Sequence, residues 1–359
     1  MRRRREEPGR LQGAPPPRWA RYAPPVALVV LVLAQRATPG TVELGFFLAG
    51  LPPVAAFAYG AGGTAVFAAV VLVLLGIRQL GVGHAEGADL YTVAAIGLLS
   101  VVIAWVRKRR DTQLVSVRTV AEAAQLAVLP PVPGQVGGLG CAGLYRAAQR
   151  GTLVGGDLYD VREGPYGVRA VVGDVQGHGL AAVGTVAGLL GAFREGVLDD
   201  TELTAVAARL DRRLLADSAG TEHAELFATA VLLEFPPGLE VVRMVSCGHP
   251  PALLLRGFEV SSPPVDPGPP LGLGLAGADP PRVSAVPLRP GDRLLVYTDG
   301  VTESRDATGA FYPLATRVPV LASDPTGLAR AIWRDLVSYT GGGPGDDVAL
   351  LVLTVAKPA

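Results

Sequence analysis

Two hydrophobic patterns divide the chain. From residue 23 to residue 106 almost every position is apolar, whereas beyond Pro133 short apolar runs alternate with Gly, Pro and Asp. Long apolar stretches are typical of segments that cross a bilayer, for which about 20 residues suffice. Short β-rich runs bounded by turn residues are typical of a soluble layered domain. The pattern therefore predicts a membrane region followed by a soluble domain.

The membrane region divides into four apolar segments when its few charged residues are placed in loops. The segments cover residues 23–35, 44–59, 60–77 and 90–106, and each is somewhat shorter than the roughly 20 residues of a comfortable span. Because Pro52 and Pro53 interrupt the second segment, a version with two crossings is the alternative. Apolar segments continue well past the first one, so we do not expect a cleaved signal peptide.

Charge predicts the orientation of these spans. Arg2 to Arg5 precede the first segment, and Arg107 to Arg110 follow the last. Basic residues accumulate on the cytoplasmic side, so both flanks should be cytoplasmic and the number of crossings even. The spans contain no pair of ionisable residues that would mark a transport path, which favours anchoring in the cell membrane, or sensing within it. We expect a multi-pass protein with a cytoplasmic soluble domain.

A connector joins the two parts. Its apolar residues recur at alternating steps of three and four, which is the spacing of a narrow coiled-coil seam. The connector could form a homodimer through this seam, or it could be a single amphipathic helix that lies on the next domain. Three prolines end it at positions 130, 131 and 133. The seam residues are Leu114, Val117, Ala121, Ala124 and Val128.

The soluble part predicts an α+β fold. Runs at 168–175, 226–235, 239–245, 252–255, 293–297 and 348–355 read as strands, and the stretch 261–274 as a surface loop. Helical spacing predicts helices from Leu180 to Val197, from Leu203 onward with Asp200 or Thr201 as the N-cap, and from Leu328 to Gly341. Because strands cluster and helices stand between blocks, a doubly wound parallel sheet is not expected. The predicted domains are a basic N-terminus (1–22), a membrane region (23–106), a connector (107–134) and a soluble domain (135–357).

Charge and cysteine content narrow the function. Residues 1–110 hold 13 Arg and Lys against 5 Asp and Glu, so the remaining residues hold 19 against 27 and are net negative. An acidic soluble part argues against nucleic-acid binding, which depends on clustered Lys and Arg. Cys141 and Cys247 are the two cysteines and form no CxxC motif, so neither a disulfide framework nor a usual thiolate zinc site is expected.

Aspartates next to glycine recur where predicted strands end. A single Asp-Gly or Gly-Asp pair is ordinary turn chemistry, but Asp174 and Asp299 each follow a run that should be buried. A buried carboxylate needs compensating positive charge, and oxygen ligands suit Mg²⁺ or Mn²⁺ better than zinc. The sequence therefore predicts a divalent-metal site. The aspartates are Asp157, Asp160, Asp174, Asp299, Asp346 and Asp347.

Seven motifs follow one another in an order that resembles the PPM-type (protein phosphatase 2C-like) phosphatases of the SpoIIE subgroup. They are GGDLYDV, VVGDVQGHGLAA, LFATAVLLEF, SCGHPPALLL, PPLGLG, LRPGDRLLVYTDGVTESRD and GDDVALLVL. The resemblance implies a two-sheet antiparallel β-sandwich flanked by helices, with a centre of two Mn²⁺ or Mg²⁺ ions. It also implies a phosphoserine or phosphothreonine protein as the substrate, for example an anti-sigma-factor antagonist.

The same resemblance suggests roles for individual residues. Asp174 should bridge both ions, and Asp157 and the carbonyl of Val175 should serve the same centre. Asp299 and Asp346 should complete the site of the other ion, with Asp347 as the substitute for Asp346. Asp160 should lie in the surrounding shell. The implied reaction uses a metal-activated water and no covalent phosphoenzyme, and the chain has neither a CxxxxxR nor a G-x-S-x-G motif.

Other polar residues have a weaker signal. His178, four residues after Asp174, could protonate the leaving oxygen, although packing in its loop is the alternative. His249 lies between Gly248 and two prolines, which favours a structural role. Arg146 or Arg150 could hold the substrate phosphate. The rival function is a non-catalytic membrane receptor or scaffold that keeps the same fold.

Overall fold

A computed structural model describes residues 18–37, 45–76, 87–129, 131–147, 155–219, 226–275, 279–322 and 327–356. The chain divides into two compact units, residues 1–117 and residues 118–359. Each unit is described by itself.

The first unit is helical. It contains α1 (Arg18–Ala37), a short 3-10 helix (Gly45–Gly50), α2 (Leu51–Ala58), α3 (Ala61–Gly76) and most of α4 (Gly87–Val128). Two hydrogen bonds join ends of these helices: the Tyr59 hydroxyl donates to the carbonyl of Arg21, and the Arg107 guanidinium donates to the carbonyl of Phe57. The start of α1, the α2–α3 turn and residue 107 of α4 therefore lie at one end of this unit.

The apolar helices of the chain differ in length and in burial. Within the described residues, Leu90–Arg110 of α4 and Leu180–Asp199 are both long and apolar enough to cross a membrane. The second of these, α5, contributes Val186, Leu190 and Phe193 to the core of the soluble domain, as a core helix does. Phe47–Ala58 and Ala61–Gly76 are apolar but shorter.

The second unit contains two six-stranded sheets. One has the strand order β1-β2-β12-β11-β7-β8, and the other has the order β10-β6-β5-β4-β3 with β9 beside β6. All pairs are antiparallel except β6 with β9. The strands are β1 (Gln135–Val136), β2 (Leu139–Arg146), β3 (Asp157–Gly164), β4 (Gly167–Val175), β5 (Ala228–Phe235), β6 (Val241–Cys247), β7 (Leu253–Arg256), β8 (Glu259–Ser261), β9 (Pro267–Gly268), β10 (Ser284–Pro287), β11 (Arg293–Tyr297) and β12 (Val348–Val355).

Helices cover both sheets. The main core contains residues of both sheets and of α5 (Leu180–Asp199) and α6 (Leu203–Ser218). A second core lies between the first sheet and α8 (Leu314–Leu321) and α9 (Leu328–Thr340), while α7 (Asp299–Thr302) follows β11. Strand β11 shows the alternation: Leu294 and Val296 belong to the main core, and Leu295 and Tyr297 to the second. The predicted α+β sandwich flanked by helices is confirmed.

Most predicted elements are present, and the omissions have a local cause. Strands β4, β5, β6, β7, β11 and β12 were predicted, but β2 and β3 were not, because β2 contains two glycines and β3 contains four charged residues. The short strands β1, β8, β9 and β10, of two to four residues, were not predicted either. Helix α9 ends as predicted, with Gly341 in the left-handed conformation (φ 63°). The predicted N-cap of α6 was wrong: Glu202 precedes the helix, and it makes no side-chain cap. The predicted loop 261–274 contains the short strand β9.

The C-terminal turns of α4 pack on the sandwich. Ala124 and Val128 contact Val183 at the start of α5, and the Gln125 side-chain amide donates to the carbonyl of Asp157 at 3.3 Å. Strand β3 lies at the edge of its sheet, where carbonyls lack a strand partner, so Gln125 satisfies one of them. At its C-terminal end, α4 is therefore an amphipathic helix that packs on the β-sandwich of the same chain. The side chains of Leu114, Val117 and Ala121 lie outside the described part, and dimerisation through them stays a prediction.

Candidate metal centre

Five aspartates gather at one end of the sandwich. Asp157 begins β3 and Asp174 is the penultimate residue of β4, and the two are direct cross-strand partners. In the other sheet, Asp299 follows β11, while Asp346 and Asp347 precede β12, and these two strands are paired. In each sheet, antiparallel pairing places the end of one strand beside the start of the next. Besides burial, the charges of Asp299 and Asp347 raise the pKa values of Asp157 and Asp174, so the carboxylates of both sheets lie close together at one end of the sandwich.

The carboxylates influence one another. Burial, followed by the charges of neighbouring aspartates, raises the pKa of Asp174 to about 7. Burial and the charge of Asp174 raise the pKa of Asp157, which is only 2% exposed, well above its usual range. Burial, Glu303 and Asp346 raise the pKa of Asp299. Desolvation and like charges both disfavour the ionised form, so this cluster needs compensating positive charge.

A divalent cation fits this cluster. Among the described residues, no Arg or Lys forms an ion pair with Asp157, Asp174, Asp299 or Asp346. Within the described residues, no group of three or more Asp, Glu, His or Cys side chains is arranged so that it could hold a metal ion without further ligands or movement. An open arrangement suits Mg²⁺, which usually keeps several waters and takes only one or two carboxylates.

Thr298 orients one of the carboxylates. Its hydroxyl donates to Oδ2 of Asp157 at 2.7 Å and accepts from the backbone N–H of Ala349 at 2.9 Å. Thr298 is fully buried, so the bond joins the β3 carboxylate to the opposite sheet. Thr298 was not among the predicted site residues, although its place directly before Asp299 was an available signal.

Asp346 and Asp347 have different environments. Asp347 is 3% exposed, and its Oδ2 accepts hydrogen bonds from the Tyr145 hydroxyl and from the backbone N–H of Gly155 at 2.9 Å. Asp346 is exposed, and its Oδ1 accepts from the N–H of Asp347 at 2.8 Å. The Asp347 carboxylate thus holds the turn that precedes Asp157, whereas the Asp346 carboxylate faces outward.

Comparison with known proteins identifies the family of the second unit. The family described as Stage II sporulation protein E (SpoIIE) matches residues 164–356, more than half of the chain. The chain belongs to the SpoIIE family. Its soluble domain is therefore homologous to PPM-type serine/threonine phosphatases, which are hydrolases.

Solved structures show the same fold. The RsbU and RsbW domains of Rv1364c from Mycobacterium tuberculosis are 27% identical with a TM-score of 0.51, over 64% of this chain and 62% of that one. SpoIIE from Bacillus subtilis, a PP2C phosphatase domain with a regulatory fragment, is 16% identical (TM-score 0.50; 62% and 64%). The SiaA-PP2C domain of Pseudomonas aeruginosa is 20% identical (TM-score 0.55; 69% and 98%). The chain thus spans less than two thirds of the first two.

Other predicted residues of this SpoIIE-family domain occupy different places. His178 is exposed in the loop between β4 and α5. Asp160 was expected around the metal site, but its carboxylate pairs with Arg162 at 3.0 Å and with Arg194 of α5 at 2.7 Å. Residues 157 and 160 face opposite sides of β3, since side chains alternate along a strand. Asp160 therefore joins β3 to α5.

The two arginines predicted to hold phosphate have separate outcomes. Arg146 ends β2, donates to the carbonyl of Tyr145, and places its guanidinium 5.9 Å from the ring centre of Trp333. Because Arg146 pairs with Val348, it lies next to the aspartate turn that precedes β12. Arg150 lies outside the described residues.

Gly156 and Gly300 allow the segments that carry the aspartates to approach each other closely. A Cβ at Gly156 would overlap the carbonyl oxygen of Val175, and one at Gly300 would overlap the carbonyl of Asp347. Val175 also donates its N–H to the carbonyl of Gly156 at 3.1 Å. The absence of side chains at these positions therefore allows the GGD segment to lie against the end of β4.

Gly156→Ala should lower metal affinity and activity strongly. The added methyl group collides with backbone, which cannot rotate away, so Asp157 and the Val175 carbonyl must separate. We expect a loss of at least about 10-fold in Mn²⁺ affinity, as for changes that displace ligands, measured by titration calorimetry. Gly184→Ala is the control, since nothing lies within 4 Å of its Cβ in the exposed face of α5 and Ala favours a helix. Equal Mn²⁺ affinity in both variants would contradict the expectation.

Proposed function

We propose that this chain is a membrane-anchored protein serine/threonine phosphatase that depends on two Mn²⁺ or Mg²⁺ ions. The observation that carries the proposal is the group of aspartates from both sheets, two of them with strongly raised pKa values and without a described cationic partner. Membership of the SpoIIE family supports the reaction class. The rival, a non-catalytic receptor, would not need to keep two carboxylates whose pKa values burial raises and which form no ion pair within the described residues.

The chain's residues would divide the work as follows. Asp174 lies among the other carboxylates and would be the residue shared by both ions. Asp157 and the carbonyl of Val175 serve one side, while Asp299 and Asp346 serve the other. Divalent ions held there would supply an activated water and positive charge for the phosphoryl oxygens. Thr298 keeps Asp157 in place, and His178, in the exposed loop beside Asp174, supplies the proton to the leaving oxygen.

The substrate in this proposal is a cytoplasmic regulatory phosphoprotein, such as an anti-sigma-factor antagonist. Support comes from the related Rv1364c chain, which combines RsbU and RsbW domains. An open, solvent-facing site at the end of a sandwich suits a phosphorylated side chain on a protein surface better than a buried small molecule. The acidic character of the soluble part favours a protein partner over a nucleic acid.

The function is tested with full-length protein in nanodiscs and a phosphoserine protein as substrate. We expect phosphate release that requires Mn²⁺ or Mg²⁺ and stops with EDTA. If calorimetry shows that the ions bind while no phosphoprotein, phosphopeptide or aryl phosphate is hydrolysed, the receptor hypothesis replaces the enzyme. If neither ion binds, the metal proposal itself is wrong.

Asp346→Asn should mainly weaken metal binding, whereas Asp347→Asn should mainly lower stability. Asp346→Asn removes an outward-facing ligand, so we expect weaker binding of one Mn²⁺ with little change in thermal stability. Asp347→Asn alters a buried carboxylate that accepts from Tyr145 and Gly155, so we expect mainly a loss of stability, of about 1–3 kcal/mol. Parallel titration calorimetry and thermal unfolding in EDTA distinguish them. The reverse outcome would make Asp347 the ligand.

Membrane anchoring is proposed with four crossings and both flanks in the cytoplasm. The contacts of Tyr59 with Arg21 and of Arg107 with Phe57 support it, because they place the α2–α3 turn at the same end as two basic flanks. Single-cysteine labelling in a Cys141→Ala/Cys247→Ala background tests the topology. Gly60→Cys should react with an impermeant reagent only after permeabilisation, and Gly40→Cys without it. External labelling at Gly60 would favour two crossings.

A further inference from the structure

His249 joins the two sheets beside the metal centre. It lies in the loop between β6 and β7 and is buried. Its Nδ1 is 3.0 Å from the Thr229 hydroxyl in one sheet, and its Nε2 is 3.1 Å from the carbonyl oxygen of Tyr297 in the other. The imidazole ring therefore bridges the gap between the sheets.

The two contacts assign the proton on the ring. A carbonyl oxygen can only accept, so Nε2 carries the hydrogen and donates to Tyr297. In a neutral imidazole the other nitrogen is an acceptor, so the Thr229 hydroxyl donates to Nδ1. Burial, which lowers the pKa of His249 to about 4, keeps the ring neutral. Both ring nitrogens are satisfied, and the ring orientation is fixed.

Both partners of His249 are next to proposed metal ligands. Thr229 in β5 is the direct cross-strand partner of Asp174 in β4. Tyr297 is the last residue of β11 and is followed by Thr298, which holds Asp157, and by Asp299. One end of the imidazole thus contacts the strand beside Asp174, and the other contacts the segment that carries Asp299.

The backbone around His249 is also fixed. Gly248 has a positive φ of 68°, which favours glycine, and a Cβ there would come within 2.7 Å of the Pro270 ring. Pro250 and Pro251 follow directly. A bridging side chain on a constrained loop can hold its two partners at a set separation, whereas a mobile loop could not.

We propose that His249 is a positioning residue that sets the separation between the Asp174 side and the Asp299 side of the metal centre. The inference rests on the proposed function, because the separation matters only if both sides serve one binuclear site. His249 itself touches neither the ions nor the substrate. Its effect passes through Thr229 and through the Tyr297 carbonyl.

The test uses full-length protein with His249→Gln, Thr229→Val and Thr229→Ser. Removal of residues that orient metal ligands typically costs about 10–100-fold in metal affinity. We expect His249→Gln and Thr229→Val to weaken Mn²⁺ binding by at least about 10-fold and to lower kcat, and Thr229→Ser, which keeps the hydroxyl, to restore both. In EDTA, hydrogen exchange should become faster in peptides that cover residues 294–303.

A matched control separates positioning from general stability. Val168→Ala removes buried methyl groups at the far end of β4, six residues or about 20 Å from Asp174. It should lower thermal stability without changing Mn²⁺ affinity or exchange at 294–303. Wild-type Mn²⁺ affinity in His249→Gln and Thr229→Val would overturn the proposal. Should the wild type bind no Mn²⁺, the proposed function fails, and unchanged exchange in the metal-free variants would overturn the bridging role separately.

Discussion

Asp174→Asn is expected to lower kcat for phosphoprotein hydrolysis by at least about 10³-fold. Asp174 lies among Asp299, Asp346 and Asp347, whose charges all raise its pKa, so it is the residue best placed to serve both ions. A metal centre contributes several kcal/mol to stabilising the transition state, and each 1.36 kcal/mol corresponds to a factor of ten in rate. Steady-state assays at saturating Mn²⁺ measure the loss.

Asp174→Asn, which should lower kcat, should not lower the stability of the metal-free protein. Without metal, Asn at position 174 removes a carboxylate whose ionisation burial opposes, so the variant should unfold in EDTA at the same temperature as the wild type or higher. Added Mn²⁺ should stabilise the wild type, by about 2.7 kcal/mol at 100 times the Kd, and the variant much less. Asp266→Asn, at an exposed position, is the control and should leave both properties unchanged. Full Mn²⁺-dependent activity in Asp174→Asn would refute the assigned role.

Arg169→Met should destabilise the soluble domain by about 3–5 kcal/mol, which is typical when one partner of a buried ion pair is removed. Arg169 is fully buried in β4, and its Nε and Nη2 bond Oε2 of Glu234 at 2.9 and 2.6 Å. Its guanidinium also donates to the carbonyls of Gly196, Asp200 and Thr201. It therefore holds the end of α5 and the α5–α6 turn against the sheet.

The loss of stability in Arg169→Met is measured in the whole chain by urea titration. At each urea concentration, a short protease pulse cleaves the unfolded fraction of the second unit. The double variant Arg169→Met/Glu234→Leu is the informative comparison. Glu234 also accepts from the half-exposed Arg243 at 2.8 Å. Replacing buried ion pairs and triads by apolar residues is often close to neutral, so the double variant should recover part of the stability lost in the single one. A single-variant loss below about 1 kcal/mol would show that the network contributes little.

The α+β class and six of the twelve strands could be predicted from the sequence. Strands β11 and β12 are nearly continuous apolar runs because both faces of their sheet are covered, and the sequence alone shows such runs with clear ends. Asp157, Asp174, Asp299 and Asp346 stand out because each is next to a glycine and at or close to the start or end of a strand. The helix boundaries at Leu180 and Gly341 also have local causes.

Tertiary structure alone decided which groups each carboxylate contacts. Asp346 and Asp347 are adjacent in sequence, yet Tyr145 and Gly155 engage only Asp347. Asp160 resembles the other aspartates in sequence but faces Arg194 of α5. These contacts join residues that are far apart along the chain, so no local pattern encodes them.

The sequence by itself thus determined that this is an apolar helical region followed by an α+β domain with strand-end aspartates. The burial of an element and the period of its hydrophobic residues are both expressed in residues that are close in sequence, so they can be predicted from a short stretch of sequence. Only the folded structure decided that Thr298 holds Asp157, that His249 spans two sheets and that Arg169, a charge within an apolar strand, is fully bonded. Each of these depends on which strands become neighbours, and that is settled by packing of the whole domain.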